Sequence, residues 1–178
     1  MSELGGTAKK GNKQSPSLKA RALRLLSMRE YSRKGLAAKL AESAARMLKL
    51  SSPDEDSELP APVVTLEVQI EAVLDDFEAR GWLSDERFAE ALVRRRSERF
   101  GTRKIQDELA QAGVDSAKTA DLLKNLKATE YQRAHELWLR KFGSLATDQK
   151  ERARQYRFLA SKGFSSDVVS KVVAGRPD

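Results

Sequence analysis

One layout is written twice, about fifty residues apart, and it restricts the fold more than any other feature of the chain. "LAQAGVDSAKTADLL" begins at residue 109 and "LASKGFSSDVVSKVV" at residue 159. Each reads leucine, three residues, glycine, an apolar residue, a capping residue and a helical run. Leu109 precedes Gly113, with Val114 and Asp115 behind it. Leu159 precedes Gly163, with Phe164 and Ser165 behind it. Glycine enters the left-handed conformation after a helix at little cost, so Gly113 and Gly163 are expected at positive φ. The pairs Phe100-Gly101 and Phe142-Gly143 mark a second recurring helix end. Repetition at roughly 45 to 50 residues is the signature of stacked helical units.

The stretches between these marks show helical periodicity and no sustained period-two alternation. Leu18, Ala22, Leu25 and Leu26 stripe a first helix, and Ser32 is placed to cap a second over 33–50. "SSPDEDSELPAPV" combines prolines, serines and acids and predicts an exposed loop at about 51–64. A third helix covers 65–80, with Leu66, Ile70, Val73, Leu74 and Phe77 inward and Gly81 at its end. Six more follow. One runs from a cap at Ser84 or Asp85 to Gly101, the next from Thr102 to Gly113. The others cover 115–127, with Ala117, Ala120, Leu123 and Leu126 inward, then 130–143, 148–163 and 165–175, the last capped by Ser165.

The predicted fold is all-α: three tandem three-helix repeats over 17–83, 84–127 and 128–178, stacked on a continuous core into an elongated, curved body. Residues 1–16 read as a disordered basic tail. The first repeat is degenerate. Leu40 stands where Leu109 and Leu159 stand, but the acidic loop replaces the glycine turn.

The chemistry is narrow. The chain has no cysteine, which excludes disulfides and thiol chemistry, and one histidine, which excludes a multi-histidine metal site. Asp75 and Asp76 are neighbours on a helix and point about 100° apart, so they do not converge on one ligand. Ser32, Ser84 and Ser165 have no histidine partner in sequence and fit as caps. His135 shares its helix with Tyr131, Ala134, Trp138 and Phe142 and is expected to be structural or at the surface. No glycine-rich phosphate loop follows a strand. No catalytic group, cofactor or metal is expected. The N-terminus "MSELGGTAKKGNKQSPS" has no apolar core of a secretory signal, and no run approaches the roughly 18 apolar residues of a membrane helix.

Charge is unevenly placed. The net +7 divides into +9 over 1–50, −10 over 51–86, +5 over 87–104 and +3 beyond. Such alternation suits a mixed partner better than a uniform polyanion. Within "VRRRSERFGTRK", three consecutive arginines on a helix spread over roughly 200° and cannot share one solvent face. Arg96 falls in register with Phe88, Leu92 and Phe100. It is either paired with a carboxylate such as Asp107 or Glu108, or it lines a concave surface between repeats. Arg94, Arg95 and Arg99 are candidates to meet a polyanion or an acidic protein surface. Arg103 and Lys104 extend the patch across Gly101.

Four segments, "ALRLLSMREYSRKGLAAKL", "VLDDFEARGWLSDERFAEALVRRR", "GTRKIQDELAQAGV" and "YRFLASKGFSSDVVSKVV", resemble in order the RecX regulatory proteins, over residues 18 to 175. The family's Gly-Pro-x-Arg-Ile element stands here as Gly101-Thr102-Arg103-Lys104-Ile105, departing at Thr102 and Lys104. Val93, Arg94 and Arg96 resemble its Val-Arg-x-Arg pattern. The resemblance implies three three-helix repeats in a cytoplasmic, monomeric protein. It implies binding to the RecA recombinase filament on single-stranded DNA, with weak direct DNA contact besides. It implies restraint of RecA's recombinase, ATPase and coprotease activities, and so modulation of DNA repair, recombination and the SOS response. The alternative is a helical repeat protein acting on DNA or RNA directly. That alternative needs exposed aromatic platforms for bases, whereas most aromatics here fall on apolar stripes.

Overall fold

The computed structural model describes residues 16–50 and 64–176. Nearly all of the basic tail and of the acidic loop therefore lies outside the described residues. Among the described residues the chain is all-α. Its helices are α1 (Leu18–Met28), α2 (Arg33–Leu50), α3 (Leu66–Ala79), α4 (Asp85–Arg96), α5 (Thr102–Gln111), α6 (Ser116–Ala128), α7 (Glu130–Phe142), α8 (Gln149–Ser161) and α9 (Ser166–Val173).

The core is not continuous, as repeat stacking suggests it should be. It is divided into three apolar clusters, one per helix triplet. The first gathers Ala22, Leu36, Leu40, Ile70, Val73, Leu74, Phe77 and Leu83. The second centres on Ala89, Leu92, Ile105, Leu109 and Leu126, and the third on Ala134, Trp138, Leu159, Phe164 and Val169. The reason is that polar groups, described below, fill the space between triplets. Buried alanines and leucines set the register: Ala22, Ala89 and Ala134 correspond, as do Leu40, Leu109 and Leu159. The helix-opening residues Ser17, Ser84 and Thr129 then align as well.

The twice-written motif is a helix stop. Gly113 and Gly163 sit at φ 77° and 84°. With the chain turned left there, the Val114 amide donates back to the Leu109 carbonyl at 3.1 Å and the Phe164 amide to that of Leu159 at 3.5 Å. The apolar residue after each glycine folds over the leucine four before it, and all four side chains are buried. α3 ends the same way, the Trp82 amide donating to the Phe77 carbonyl at 2.8 Å.

Several local expectations are corrected. α4 stops at Arg96, not Gly101, because the amides of Arg99 and Phe100 both close on the Arg96 carbonyl in a tight turn. Gly101, not Thr102, is the N-cap of α5 and has no side chain to accept from its first amides. Ser165 caps α9 with its backbone carbonyl only, receiving the Val169 amide at 2.9 Å. On α6 the inward residues are Thr119, Leu122, Leu123 and Leu126, while Ala117 and Ala120 are exposed. Thr119 can be buried because its hydroxyl donates to the carbonyls of Asp115 and Ser116.

One joint is built twice between the triplets. In the first, the Ser32 hydroxyl caps α2 by accepting the Gly35 amide at 3.0 Å and donates to the Ala112 carbonyl at 2.8 Å. The Arg33 amide donates to the Asp85 carboxylate of α4 at 2.8 Å. In the second, the Gly101 amide donates to the Lys162 carbonyl at 3.0 Å and the Thr102 amide to the Glu130 carboxylate of α7 at 2.8 Å. In both, the start of a triplet's middle helix rests on the next triplet's glycine turn, and the next triplet's opening acid caps it. An arginine near that acid clamps the joint. Arg87 donates to Glu30, Gly81 and Trp82. Arg133 donates to the carbonyls of Ser97, Phe100 and Leu126.

Candidate partner-binding surface

The joints leave a cleft on one side of each seam. Between the first and second triplets, a cleft of about 680 Å³ is lined by Arg29, Lys34, Lys39, Arg95 and Arg96, with Phe88 and Leu92 at its floor. Between the second and third, a cleft of about 550 Å³ is lined by Arg103, Lys104, Ser161 and Phe164. Glu108 and Gln111 of α5 line both, so α5 is the ridge between two clefts of one continuous face.

At the middle of this face stands the half-buried Phe100 ring. Arg96, Arg99, Lys104 and Lys162 place their charges 5.2, 5.9, 4.9 and 5.7 Å from its centroid. Cations are attracted to an aromatic face, but they repel one another in such company. Only Arg96 is paired, through Nε to Glu108 at 3.0 Å, and its side chain keeps 38% of its exposure. The two alternatives for Arg96 therefore coexist: it has its carboxylate, Glu108 and not Asp107, and it lines the cleft. No ion pair is seen for Arg99, Lys104 or Lys162 among the described residues.

The candidate residues are thus distributed. Arg96, Arg99 and Lys104 meet at Phe100, Arg95 opens onto the first cleft and Arg103 onto the second. Arg94 is exposed but lines neither cleft. Lys162 was not among the candidates. Its signal was its place just before the second glycine turn, where the joint brings it to Gly101.

The other titratable groups are tied into structure. Asp75 pairs with Arg33 at 2.7 Å, while Asp76 pairs with Lys19 at 3.0 Å and Arg80 at 2.8 Å, so the adjacent carboxylates serve different cations. Arg33 also takes Glu71 and Glu78, and these three acids hold its guanidinium above its usual pKa against some desolvation. His135 lies between the rings of Tyr131 and Trp138, at 6.1 and 5.6 Å. Among the described residues there is no cluster of three potential metal ligands and no helix long and apolar enough to cross a membrane.

Two family models match the chain: the second three-helix domain of RecX over residues 84–123 and the third over 128–173. The regulatory protein RecX of Leptothrix cholodnii is 46% identical over 162 residues, covering 91% of this chain and 90% of that protein. This chain belongs to the RecX family. Regulatory protein RecX of Chromobacterium violaceum is 39% identical over 91% of this chain and 92% of its own length. The RecX crystal structure from Lactobacillus salivarius shares the fold, with a TM-score of 0.61 over 89% of this chain and 93% of that one at 18% identity. The RecX relatives are regulatory proteins by name, and the all-α repeat architecture is common to the family structures.

Proposed function

We propose that this RecX-family chain binds along the RecA recombinase filament on single-stranded DNA and inhibits RecA's recombinase, ATPase and coprotease activities. It would thereby modulate DNA repair and homologous recombination. It acts by occupancy and not by chemistry, as a monomer in the cytoplasm. The observation that carries this is the group of cations at Phe100, flanked by a first cleft with five basic residues against Glu30 and Glu108 and a second in which Arg103 and Lys104 stand with Asp107 and Glu108. A helical filament offers an extended partner with phosphates inside and protein along its walls. Three triplets in a row present charge at successive points along such a partner, and contacts on one body reinforce one another. Arg95, Arg99, Arg103 and Lys104 are the proposed contacts. Arg96 is held by Glu108 beside them, and Arg94 contributes at the margin. Phosphate neutralisation by these side chains makes binding salt-dependent.

A direct nucleic-acid role without RecA is less well supported, because the exposed rings among the described residues, Trp82 and Tyr156, line neither cleft. The test is retention on immobilised RecA, with and without single-stranded DNA and a slowly hydrolysed nucleotide. Retention is expected to be strongest with both present. Equal retention on DNA lacking RecA would overturn the proposal in favour of direct binding.

A further inference from the structure

The repeat register exposes a second surface, on the first triplet, that no joint uses. The second triplet receives the first on a face formed by Phe88, Leu92 and Arg95 of α4 and Glu108, Gln111 and Ala112 of α5. Carried back through the register, these positions are Arg21, Leu25 and Met28 of α1 and Lys39, Glu42 and Ser43 of α2. All six line one groove of about 440 Å³ on the first triplet. It is the docking face of the first triplet, and among the described residues nothing is seated on it as the first triplet is seated on the second. The consequence is visible in Met28, a large apolar side chain left 76% exposed.

The groove is not a faithful copy, and the changes say what it can hold. The second triplet's face holds Glu108, paired to Arg96, in the cleft where the incoming segment carries Arg29, Lys34 and Lys39. In the first triplet Lys39 replaces that glutamate, Arg21 replaces Phe88, and Arg24 and Arg46 stand on the rim. The one carboxylate among the described lining residues, Glu42, is taken by Lys39 at 2.8 Å and Arg46 at 3.0 Å. A basic segment of the kind that fills the joints would be repelled. The start of α8, which another copy would offer, presents Lys150, Arg154 and Arg157 beside Asp148 and Glu151 and so brings no net negative charge to the groove. The floor is aliphatic, with no ring to stack a base, so single-stranded nucleic acid is disfavoured.

We infer that this groove docks an acidic segment of a partner protein, an amphipathic helix with carboxylates for the rim and one or two large aliphatic side chains for Leu25 and Met28. Helix-in-groove recognition takes this form, with apolar anchors at helical spacing giving the contact and charge giving the choice of partner. The site shares Lys39 with the first cleft, but its other lining residues are its own.

The chain has three methionines, Met1, Met28 and Met47, and they provide the measurement, because among the described residues only Met28 lines the groove. The full chain, labelled at the methionine methyls, is titrated with a 14-residue helical peptide of glutamates with leucines at i and i+4. The Met28 resonance is expected to move saturably, and Arg24→Glu with Arg46→Glu is expected to weaken the effect at least tenfold with helical content unchanged. The same peptide with its leucines replaced by glutamine, and a thymidine oligonucleotide, are expected to leave Met28 in place. A Met28 signal that is unmoved by the leucine peptide, or moved equally by the leucine-free peptide or the oligonucleotide, would overturn the inference. So would a Met28 signal that shifts with protein concentration alone, since the occupant would then be a second copy. None of these readings involves RecA, so the filament proposal stands or falls separately.

Discussion

The two joints of this chain perform one task with different chemistry. At the first, a hydroxyl reaches across: Ser32 caps its own helix and bonds the neighbour's Ala112 carbonyl. At the second, the backbones themselves touch: Gly101 has no side chain, and its amide bonds the Lys162 carbonyl directly. A Cβ on Gly101 would overlap the backbone of Gly163, and one on Gly163 would lie 2.5 Å from Lys104 Cβ. One on Gly113 would meet only the Lys34 side chain, at 2.9 Å from Cδ, which is a flexible stem that can move aside. The hydroxyl joint has slack and the backbone joint has none. The backbone joint also lies under the Phe100 cluster, where the unpaired cations converge. Tight apposition there brings Lys162 of the third triplet to Arg99 and Lys104 of the second.

The same comparison accounts for the degenerate first repeat. The glycine turn exists to receive a preceding triplet. Among the described residues no triplet docks on the first, and the sequence between Gly35 and Gly81 contains no glycine at all.

Gly101→Ala should do the most damage. The added methyl has only backbone to displace, so a loss of about 3 kcal/mol is expected from overpacking a rigid site, read by denaturant unfolding. Ser32→Ala should cost about 2 kcal/mol, through the lost cap and the Ala112 carbonyl left without its donor. If Ser32→Ala proved more harmful than Gly101→Ala, the contrast between slack and tight joints would be reversed. Gly113→Ala should cost about 1 kcal/mol, mostly from the left-handed backbone, and Gly163→Ala distinctly more, because Lys104 backbone is in the way. Equal losses at the two glycines would show the joints to be equivalent.

The smallest effect concerns pH. Glu86, beside the first joint, has its carboxyl lowered to about 2 by a backbone hydrogen bond at the helix start, then by Lys118 and Ser84. A lowered pKa means stability that is present above the unfolded value near 4.5 and lost as pH falls towards 2. The group is largely exposed, so the contribution is under about 1 kcal/mol. Glu86→Gln should therefore narrow the gap between stability at pH 5 and at pH 2 slightly, with no change in the slope between pH 6 and 8.

The helices were legible in the sequence because their signals are local: stripes such as Ile70, Val73, Leu74 and Phe77, and caps such as Ser84. The leucine–glycine stops were legible too, since the carbonyl and amide they join are five residues apart. The joints were not. They pair Ser32 with Ala112 and Gly101 with Lys162, and nothing in the composition of "EYSRK" or "RFGTRK" names a partner so far along the chain. For the same reason Gly101 reads in sequence as the stop of α4, whereas α4 ends at Arg96 and Gly101 is held by Lys162. The arginine run was visible as charge. Its division into a paired Arg96, a marginal Arg94 and a cluster at Phe100 required the third triplet, and so Lys162 was missed.

The central claim is that the charges gathered across the tight joint are what hold the filament. Its most direct test is inhibition of RecA's DNA-dependent ATP hydrolysis by a variant carrying Arg99→Ala, Arg103→Ala, Lys104→Ala and Lys162→Ala. A charge-matched control carries Lys124→Ala, Lys127→Ala, Arg152→Ala and Arg157→Ala, all exposed and away from that cluster. Both are measured at two salt concentrations, with circular dichroism beside them. The account predicts that the first variant loses at least tenfold in inhibitory potency and shows a flatter salt dependence, since fewer counterions are released, while the control stays within about twofold of the parent. Equal losses in the two variants, or none in the first, would contradict it.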